Sequence, residues 1–275
     1  MASPPLTPSR RLRFTPAISI AAAALLLSAT RLQGQASAPA QPTRTPVLVE
    51  LFTSEGCSDC PPADELLYEL DQSQFVPGAE AIVLSEHITY FNHEGWRDPF
   101  SSDAMTDRQK EYAMQFSLND VYTPQMVVDG KVQFVGNDSA KLKQALAREA
   151  ATPKLDLQIA DAHRAAGGAI AFSVRAPVAA KSTLFAAVAL DQASTKVTHG
   201  ENAGHTLRHV AVVRALKSFG SNAADGRPLQ ISGADLEAAE KSSTPLRLIV
   251  FLVNRKNGNV VAAAEQTLTE QILPQ

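Results

Sequence analysis

The chain has 275 residues, with 25 Lys and Arg against 28 Asp and Glu, a formal net charge of −3. This mildly acidic balance argues against the basic surface that nucleic-acid binding needs, so we expect no nucleic-acid partner. The length is sufficient for two modest domains. Only two cysteines occur, and both belong to one C-x-x-C motif.

The N-terminus has the pattern of a secretory signal. Basic residues precede an apolar run over 17–29, and small residues follow up to Ala36. We therefore predict a signal peptide over 1–36, because a membrane span needs about 20 apolar residues. Its removal would leave 21 basic and 28 acidic side chains, a net charge of −7. We expect a periplasmic or secreted protein without a stable membrane span after cleavage; an uncleaved anchor is the alternative.

After a Pro-rich leader over 37–45, the pattern from 46 to 152 predicts an α/β domain. Apolar β-branched runs predict buried strands, helical spacing of apolar residues predicts helices, and an Asp-Gly pair predicts a hairpin tip. The predicted elements are a strand at 46–52, a helix from Pro61, a strand at 81–85, a helix at 103–116, a hairpin of 125–128 with 132–135, and a helix at 139–150.

Beyond Pro153, β-like segments dominate, and short spacing with turn residues predicts a mainly antiparallel, sandwich-like β domain over 153–275. A single helix is predicted in this part. The predicted strands are 155–160, 169–174, 184–190, 210–213, 246–253 and 260–264, and the predicted helix is 233–241.

The C-x-x-C pair, Cys57 and Cys60, predicts redox chemistry. A disulfide closing a four-residue loop stabilises the fold by only about 2 kcal/mol, against about 4.7 for a 100-residue loop, so a structural staple is the weaker interpretation. Cys57 should lie at the N-terminus of the helix that follows, where free N–H groups and the helix dipole favour a thiolate. Cys60, one turn on, would be the resolving thiol.

Acidic residues near Cys57 oppose this effect. Glu55, Asp59 and Asp64 surround it in sequence, and no Lys, Arg or His is adjacent. Nearby anions disfavour a thiolate. We therefore expect a less acidic nucleophile and a lower reduction potential than those of a strong oxidase.

Metal binding is the alternative use of the two thiols. A structural zinc site needs four ligands, and only His87 and His93 could complete the set, without a recognised spacing. Copper(I) suits soft thiolates better. A late group of histidines, His199, His205 and His209, is interpreted as ordinary polar positions. We predict no metal site and no cofactor.

A second motif is Tyr122-Thr123-Pro124, directly before the predicted hairpin. A proline there fits a tight turn with a cis bond, or an ordinary trans-proline at a strand start. Trp96, the only tryptophan, lies in an aromatic loop that would either form an apolar lip over the dithiol or plug the loop against the domain.

These motifs together resemble the thioredoxin superfamily. The resemblance implies that Pro124 is cis and packs against the dithiol, and that Thr123 and its backbone face an extended substrate; Tyr122 and Trp96 are expected to contribute to substrate binding. The chain departs from the superfamily at Gly56, where a Trp often precedes the first Cys.

A closer resemblance is to a family of secreted bacterial thioredoxin-like proteins of unknown function, from Val47 to the C-terminus. The motifs that carry it are VELFTSEGCSDCPPAD (49–64), H-x-x-Y at His87, GWRDPFSS (95–102), YTPQMVVDG (122–130) and GENAGHTLRHVAVVRAL (200–216).

We therefore expect an exported thiol–disulfide oxidoreductase in which Cys57 attacks, Cys60 resolves and Pro124 shapes the substrate-binding backbone. Its partners would be protein or small-molecule thiols and disulfides, together with an external redox partner. The direction is open, with a reductase or isomerase favoured over a strong oxidase. The alternatives are a periplasmic copper(I)-handling or redox-sensing protein, and a partner-binding module whose dithiol is vestigial.

Overall fold

The computed structural model describes residues 44–177, 181–236 and 244–268. The predicted signal peptide and nearly all of the predicted leader lie outside these residues. The described elements in chain order are β1 (Thr45–Thr53), α1 (Pro61–Ser73), β2 (Ala79–His87), α2 (Asp103–Gln115), β3 (Gln125–Val128), β4 (Val132–Val135), α3 (Ser139–Ala150), β5 (Gln158–Arg164), β6 (Ile170–Arg175), β7 (Ser182–Lys196), β8 (Thr206–Gly220), β9 (Asp225–Ile231), β10 (Leu246–Asn254) and β11 (Val260–Leu268).

Eight strands form one large sheet in the order β11-β10-β7-β8-β2-β1-β3-β4, and β5-β6-β9 form a small second sheet. The pairs β1–β2 and β2–β8 are parallel, and the other neighbouring pairs of the large sheet are antiparallel. The fold is thus mixed α/β, with a large, mostly antiparallel sheet and few helices. Strands from both sides of Pro153 share this sheet, joined where Ser85 of β2 pairs with Val212 of β8.

Strand β1 lies between β2 and β3 and is buried on both faces, which explains its largely apolar sequence. Successive side chains of a strand point to opposite faces. Accordingly, Leu51 packs in the cluster that includes Leu67 of α1 and Leu146 of α3. Its neighbour Phe52 packs in another cluster, with Tyr112 of α2. Helices therefore cover both faces of the sheet around β1.

The small sheet packs against the strands of the large sheet that come late in the chain. Phe172 and Val174 of β6 share one apolar cluster with Val188 of β7 and Leu248 of β10. These four side chains are almost fully buried. This cluster gives the C-terminal part of the chain a core of its own.

The elements before Pro153 lie within a few residues of their predicted positions. Strands β7 and β8 are longer than predicted, with 15 residues each, and β9 was not predicted. The predicted helix at 233–241 begins as a 3₁₀ turn, Gly233–Leu236, and 237–243 lie outside the described residues. Over the described ranges, no helix is both long and apolar enough to cross a membrane.

Candidate functional site

The two cysteines lie between the end of β1 and the start of α1. Cys60 is the N-cap residue of α1, and prolines occupy the first helical positions, where no N–H donor is needed. Cys57 and Cys60 form a disulfide. Cys57 is 2% exposed and Cys60 is fully buried, so both residues of the pair lie almost wholly beneath the surface.

Thr123 lies against the disulfide. The carbonyl oxygen of Thr123 is 4.0 Å from Cys57 Sγ, and its hydroxyl oxygen is 3.5 Å from Cys60 Sγ. The same hydroxyl donates to the carbonyl of Phe52 at 2.8 Å, which fixes the loop to the end of β1. The Thr123–Pro124 peptide bond is cis.

Gly136, just after β4, allows this close packing. A Cβ atom there would lie 2.8 Å from Leu51 and 3.0 Å from both Ala63 and Pro124. Its N–H donates to the carbonyl of Pro124 at 2.9 Å. The absent side chain therefore lets β1, α1 and the Pro124 loop meet at one point.

Tyr122 is half-buried beside the same loop. Its carbonyl accepts a hydrogen bond from Gln109 of α2 at 2.7 Å, and its hydroxyl donates to Gln133 of β4. Its ring hydroxyl is therefore already occupied, whereas its backbone leads directly into Thr123. Tyr122 therefore adjoins the site through the backbone of Thr123, while its side chain bonds to β4.

Trp96 reaches the turn that carries the dithiol. Its indole N–H donates to Glu55 Oε2 at 2.8 Å. The loop that contains it also passes over Gly56, where a Cβ would lie 2.9 Å from the carbonyl oxygen of Phe91. The Phe91 backbone thus fills the space that a larger residue at position 56 would need, which explains why a glycine stands there.

The connection between β7 and β8 also contacts the dithiol turn, which the sequence patterns did not predict. Asn202 donates from its amide to the carbonyl oxygens of both Glu55 and Cys57, at 2.9 Å each. Glu201 accepts from the backbone N–H of Ser58 at 3.1 Å. Residues about 145 positions away in sequence therefore hold the turn on both sides of Cys57.

His209 of β8 lies between two of the acids that surround the dithiol. Its Nε2 is 3.3 Å from Glu55 Oε1, and its Nδ1 is 3.6 Å from Asp64 Oδ1. All three side chains are at least 95% buried. Burial alone would lower the pKa of His209, but the carboxylates of Asp64 and Glu55 outweigh it and raise this pKa to about 10. The residue is therefore an imidazolium at neutral pH.

A second buried pair, His87 and Asp98, lies next to His209. Asp98 accepts from His87 Nδ1 at 2.7 Å and from the backbone N–H groups of Glu55 and Phe100. Burial opposes ionisation of Asp98, but His87 and these N–H groups lower its pKa to about 2. The His87 ring meets the edge of His209 at 4.6 Å between centroids.

An open, polar cleft of about 1140 Å³ lies beside the Thr123 loop. It is formed by the segment after β2, the first turns of α2 and the residues just before Tyr122. Side chains that line it include Tyr90, Asn92, Arg97, Asp103, Lys110 and Asp120. Within the described ranges, no group of three or more His, Cys, Asp or Glu side chains is arranged to hold a metal ion.

A family model described as protein of unknown function (DUF1223) matches residues 48–253. The chain belongs to this family. The matched region contains the dithiol, the Thr123-Pro124 segment and His209. Membership in this family assigns no activity, so the chemistry has to be argued from the site.

Two solved structures share the fold. Protein AGR_C_4864 from Agrobacterium tumefaciens is 22% identical with a TM-score of 0.64, over 86% of this chain and 100% of that one. HBP35 of Porphyromonas gingivalis is 13% identical with a TM-score of 0.52, over 84% of this chain and 80% of that one. At these identities the likeness concerns the fold alone. No curated protein matches the chain.

Proposed function

We propose that this DUF1223 protein is an exported thiol–disulfide oxidoreductase that acts through Cys57 and Cys60. The observation that carries the proposal is the contact of the dithiol at the start of α1 with the Thr123 backbone. The Thr123 carbonyl and hydroxyl oxygens lie 4.0 and 3.5 Å from the two sulfurs. A disulfide that served only as a staple across four residues would add little stability and would need no such partner.

The order of the first seven elements supports a thioredoxin-like arrangement for 46–152. Strand, helix, strand, helix, two-stranded hairpin and helix follow one another, and their strands are ordered β2-β1-β3-β4 in the sheet. Cys57 precedes the first helix and Pro124 precedes the hairpin. We likewise propose a sandwich-like arrangement for 153–275, which the packing of the small sheet on β7 and β10 supports.

In the proposed reaction, the Cys57 thiolate attacks one sulfur of a substrate disulfide. A mixed disulfide forms and the other substrate sulfur leaves as a thiolate, which takes up a proton. The Cys60 thiol then loses its proton and attacks Cys57 Sγ, which releases the second substrate thiolate and closes the Cys57–Cys60 disulfide. An external thiol partner restores the reduced form. The reverse sequence oxidises a substrate dithiol.

Substrate would bind along the Thr123 backbone and extend into the polar cleft. The cleft begins at Asp120 and Val121, immediately before Tyr122 and Thr123. Trp96, bonded to Glu55 in the dithiol turn, would contribute a second contact with the substrate. An extended, polar peptide segment around the substrate disulfide suits this surface better than an apolar one. Export to the periplasm or beyond rests on the sequence pattern of 1–36.

The test is turnover of a model peptide that contains one disulfide, with glutathione as the electron donor. We expect the protein to accelerate exchange well above background. The matched control is the same protein after reduction and alkylation of both thiols, which should give the background rate. Equal rates for the two preparations would refute the proposal; tight copper(I) binding without turnover would assign the thiols to metal handling instead.

A further inference from the structure

Among the described residues, the imidazole of His209 brings a buried cation to the acids of the dithiol turn. In sequence, Cys57 is flanked only by acids, and of these Glu55 and Asp64 are buried. His209, brought in by β8, contacts both of them, at 3.3 and 3.6 Å. Asp59 is exposed and therefore screened by water. The buried charged groups near the dithiol turn are thus the carboxylates of Glu55 and Asp64 and the imidazolium of His209.

Glu55 and Asp64 lie close to the cysteines along the chain, and His209 contacts both carboxylates. Glu55 is two residues before Cys57, and the Asn202 amide bridges the carbonyl oxygens of these two residues. Asp64 is four residues after Cys60 in α1, and side chains at this spacing have Cβ atoms about 5–6 Å apart on one helix face. Charges at such separations in a buried site act on each other strongly because solvent screens them little.

We propose that His209 is a positioning residue of the dithiol, whose buried positive charge between Glu55 and Asp64 favours the thiolate of the reduced protein. This inference rests on the proposed function and deepens it. Without His209, the buried cluster would carry two negative charges instead of one. The thiolate would then be less stable, and the dithiol would be a stronger reductant.

The groups that face His209 come from several elements. Glu55 follows β1, Asp64 belongs to α1, and the rings of His87 and Phe100 contact the imidazole edge-on. Asp98 lies behind His87 and is paired with it. Asp64 Oδ1 and His209 Nδ1 have no hydrogen-bond partner, so their interaction is one of charge. This arrangement fits electrostatic control of a neighbouring group better than a tight structural hydrogen bond.

A small thiol such as glutathione can supply the electrons and protons that reduce the Cys57–Cys60 disulfide. Two glutathione thiols deliver two electrons and two protons to the Cys57–Cys60 disulfide, which gives two protein thiols and one glutathione disulfide. Loss of one proton from the reduced protein to solvent then gives the thiolate. The equilibrium constant of this exchange, measured in glutathione buffers of varied ratio, therefore reports how well the site stabilises the thiolate.

The experiment compares two substitutions that change the charge in opposite directions. His209→Gln should raise the pKa of the Cys57 thiol, with about tenfold less thiolate at a pH below that pKa, and should lower the equilibrium constant for reduction by up to tenfold, about 30 mV for two electrons. Glu55→Gln should shift both quantities the opposite way. The thiol pKa is read from the rate of alkylation against pH, and the control is His163→Gln, an exposed imidazole on β5.

A purely structural role for His209 predicts that His209→Gln destabilises the fold without raising the thiol pKa or lowering the equilibrium constant; that result overturns the inference. If His209→Gln does not fold, the smaller neutral variant His209→Asn is measured in its place, and an unshifted thiol pKa in that variant likewise overturns the inference. Both quantities are measured without turnover. If the two substitutions shift the thiol pKa and the equilibrium constant in opposite directions but the protein shows no turnover, the proposed function alone is refuted. If turnover is normal but the opposite shifts do not occur, this inference alone is refuted.

Discussion

Replacement of Cys57 by serine should abolish disulfide exchange, with turnover lowered by on the order of 10³-fold or more, as when a catalytic nucleophile is removed. The serine hydroxyl is not ionised at neutral pH and does not attack a disulfide sulfur. The change is small in volume and lies at a site that is 2% exposed, so the fold should be retained. Turnover of the model peptide with glutathione measures the effect.

The matched control for this variant is Ser58→Ala. Ser58 is the next residue, its side chain is exposed, and the contact it makes with Glu201 is through its backbone N–H. We expect this variant to turn over at the rate of the unmodified protein. Turnover of the Cys57→Ser protein within a few-fold of that rate would mean that Cys57 is not the attacking group.

Replacement of Arg108 by methionine should lower the free energy of unfolding by about 3–5 kcal/mol, the cost of leaving a buried charge without its partner. Arg108 of α2 donates to Glu50 of β1 at 2.6 Å and lies 3.5 Å from Glu86 of β2. Burial and the neighbouring Glu50 already raise the pKa of Glu86, and Arg108 lowers it. Without Arg108, Glu50 and Glu86 would face each other in the core.

Arg108 also joins distant parts of the chain. Its guanidinium lies over the rings of Phe185 and Phe251, which belong to β7 and β10. Chemical denaturation of the oxidised protein measures the loss. The control is Lys110→Met on the same helix, where the Lys110 side chain is 58% exposed and pairs with Asp107, which is 69% exposed; a surface pair of this kind contributes at most about 1 kcal/mol. Similar losses for the two variants would contradict this assignment.

The sequence predicted the elements before Pro153 well because local signals determine them. The apolar run of β1 lies inside the sheet between β2 and β3, prolines open α1, and Asp129-Gly130 forms the hairpin tip between β3 and β4. The positions of Cys57, Thr123 and Pro124 follow from those elements. Local sequence patterns therefore located the dithiol and the Thr123-Pro124 segment, which are separated by about 70 residues.

The rest of the site depends on contacts between distant segments. Strands β7 and β8 extend beyond the core, and their outer residues, such as 192–196, alternate in exposure, so the apolar runs indicated only their buried parts. Nothing near His209 indicates that it will lie between Glu55 and Asp64, more than 140 residues earlier. The residues near Cys57 in sequence predicted only acidic groups around the dithiol. In the fold, the imidazole of His209 contacts two of these acids.

Trapping of the reaction intermediate with the Cys60→Ser protein tests the central claim most directly. Without the resolving thiol, attack by Cys57 on the model peptide disulfide should stop at a mixed disulfide, visible as one covalent adduct by mass spectrometry under non-reducing conditions. The adduct should map to Cys57, and the Cys57→Ser protein should form little. An adduct formed equally through Cys60 in the Cys57→Ser protein, or none in either variant, would contradict the ordered roles of the two cysteines.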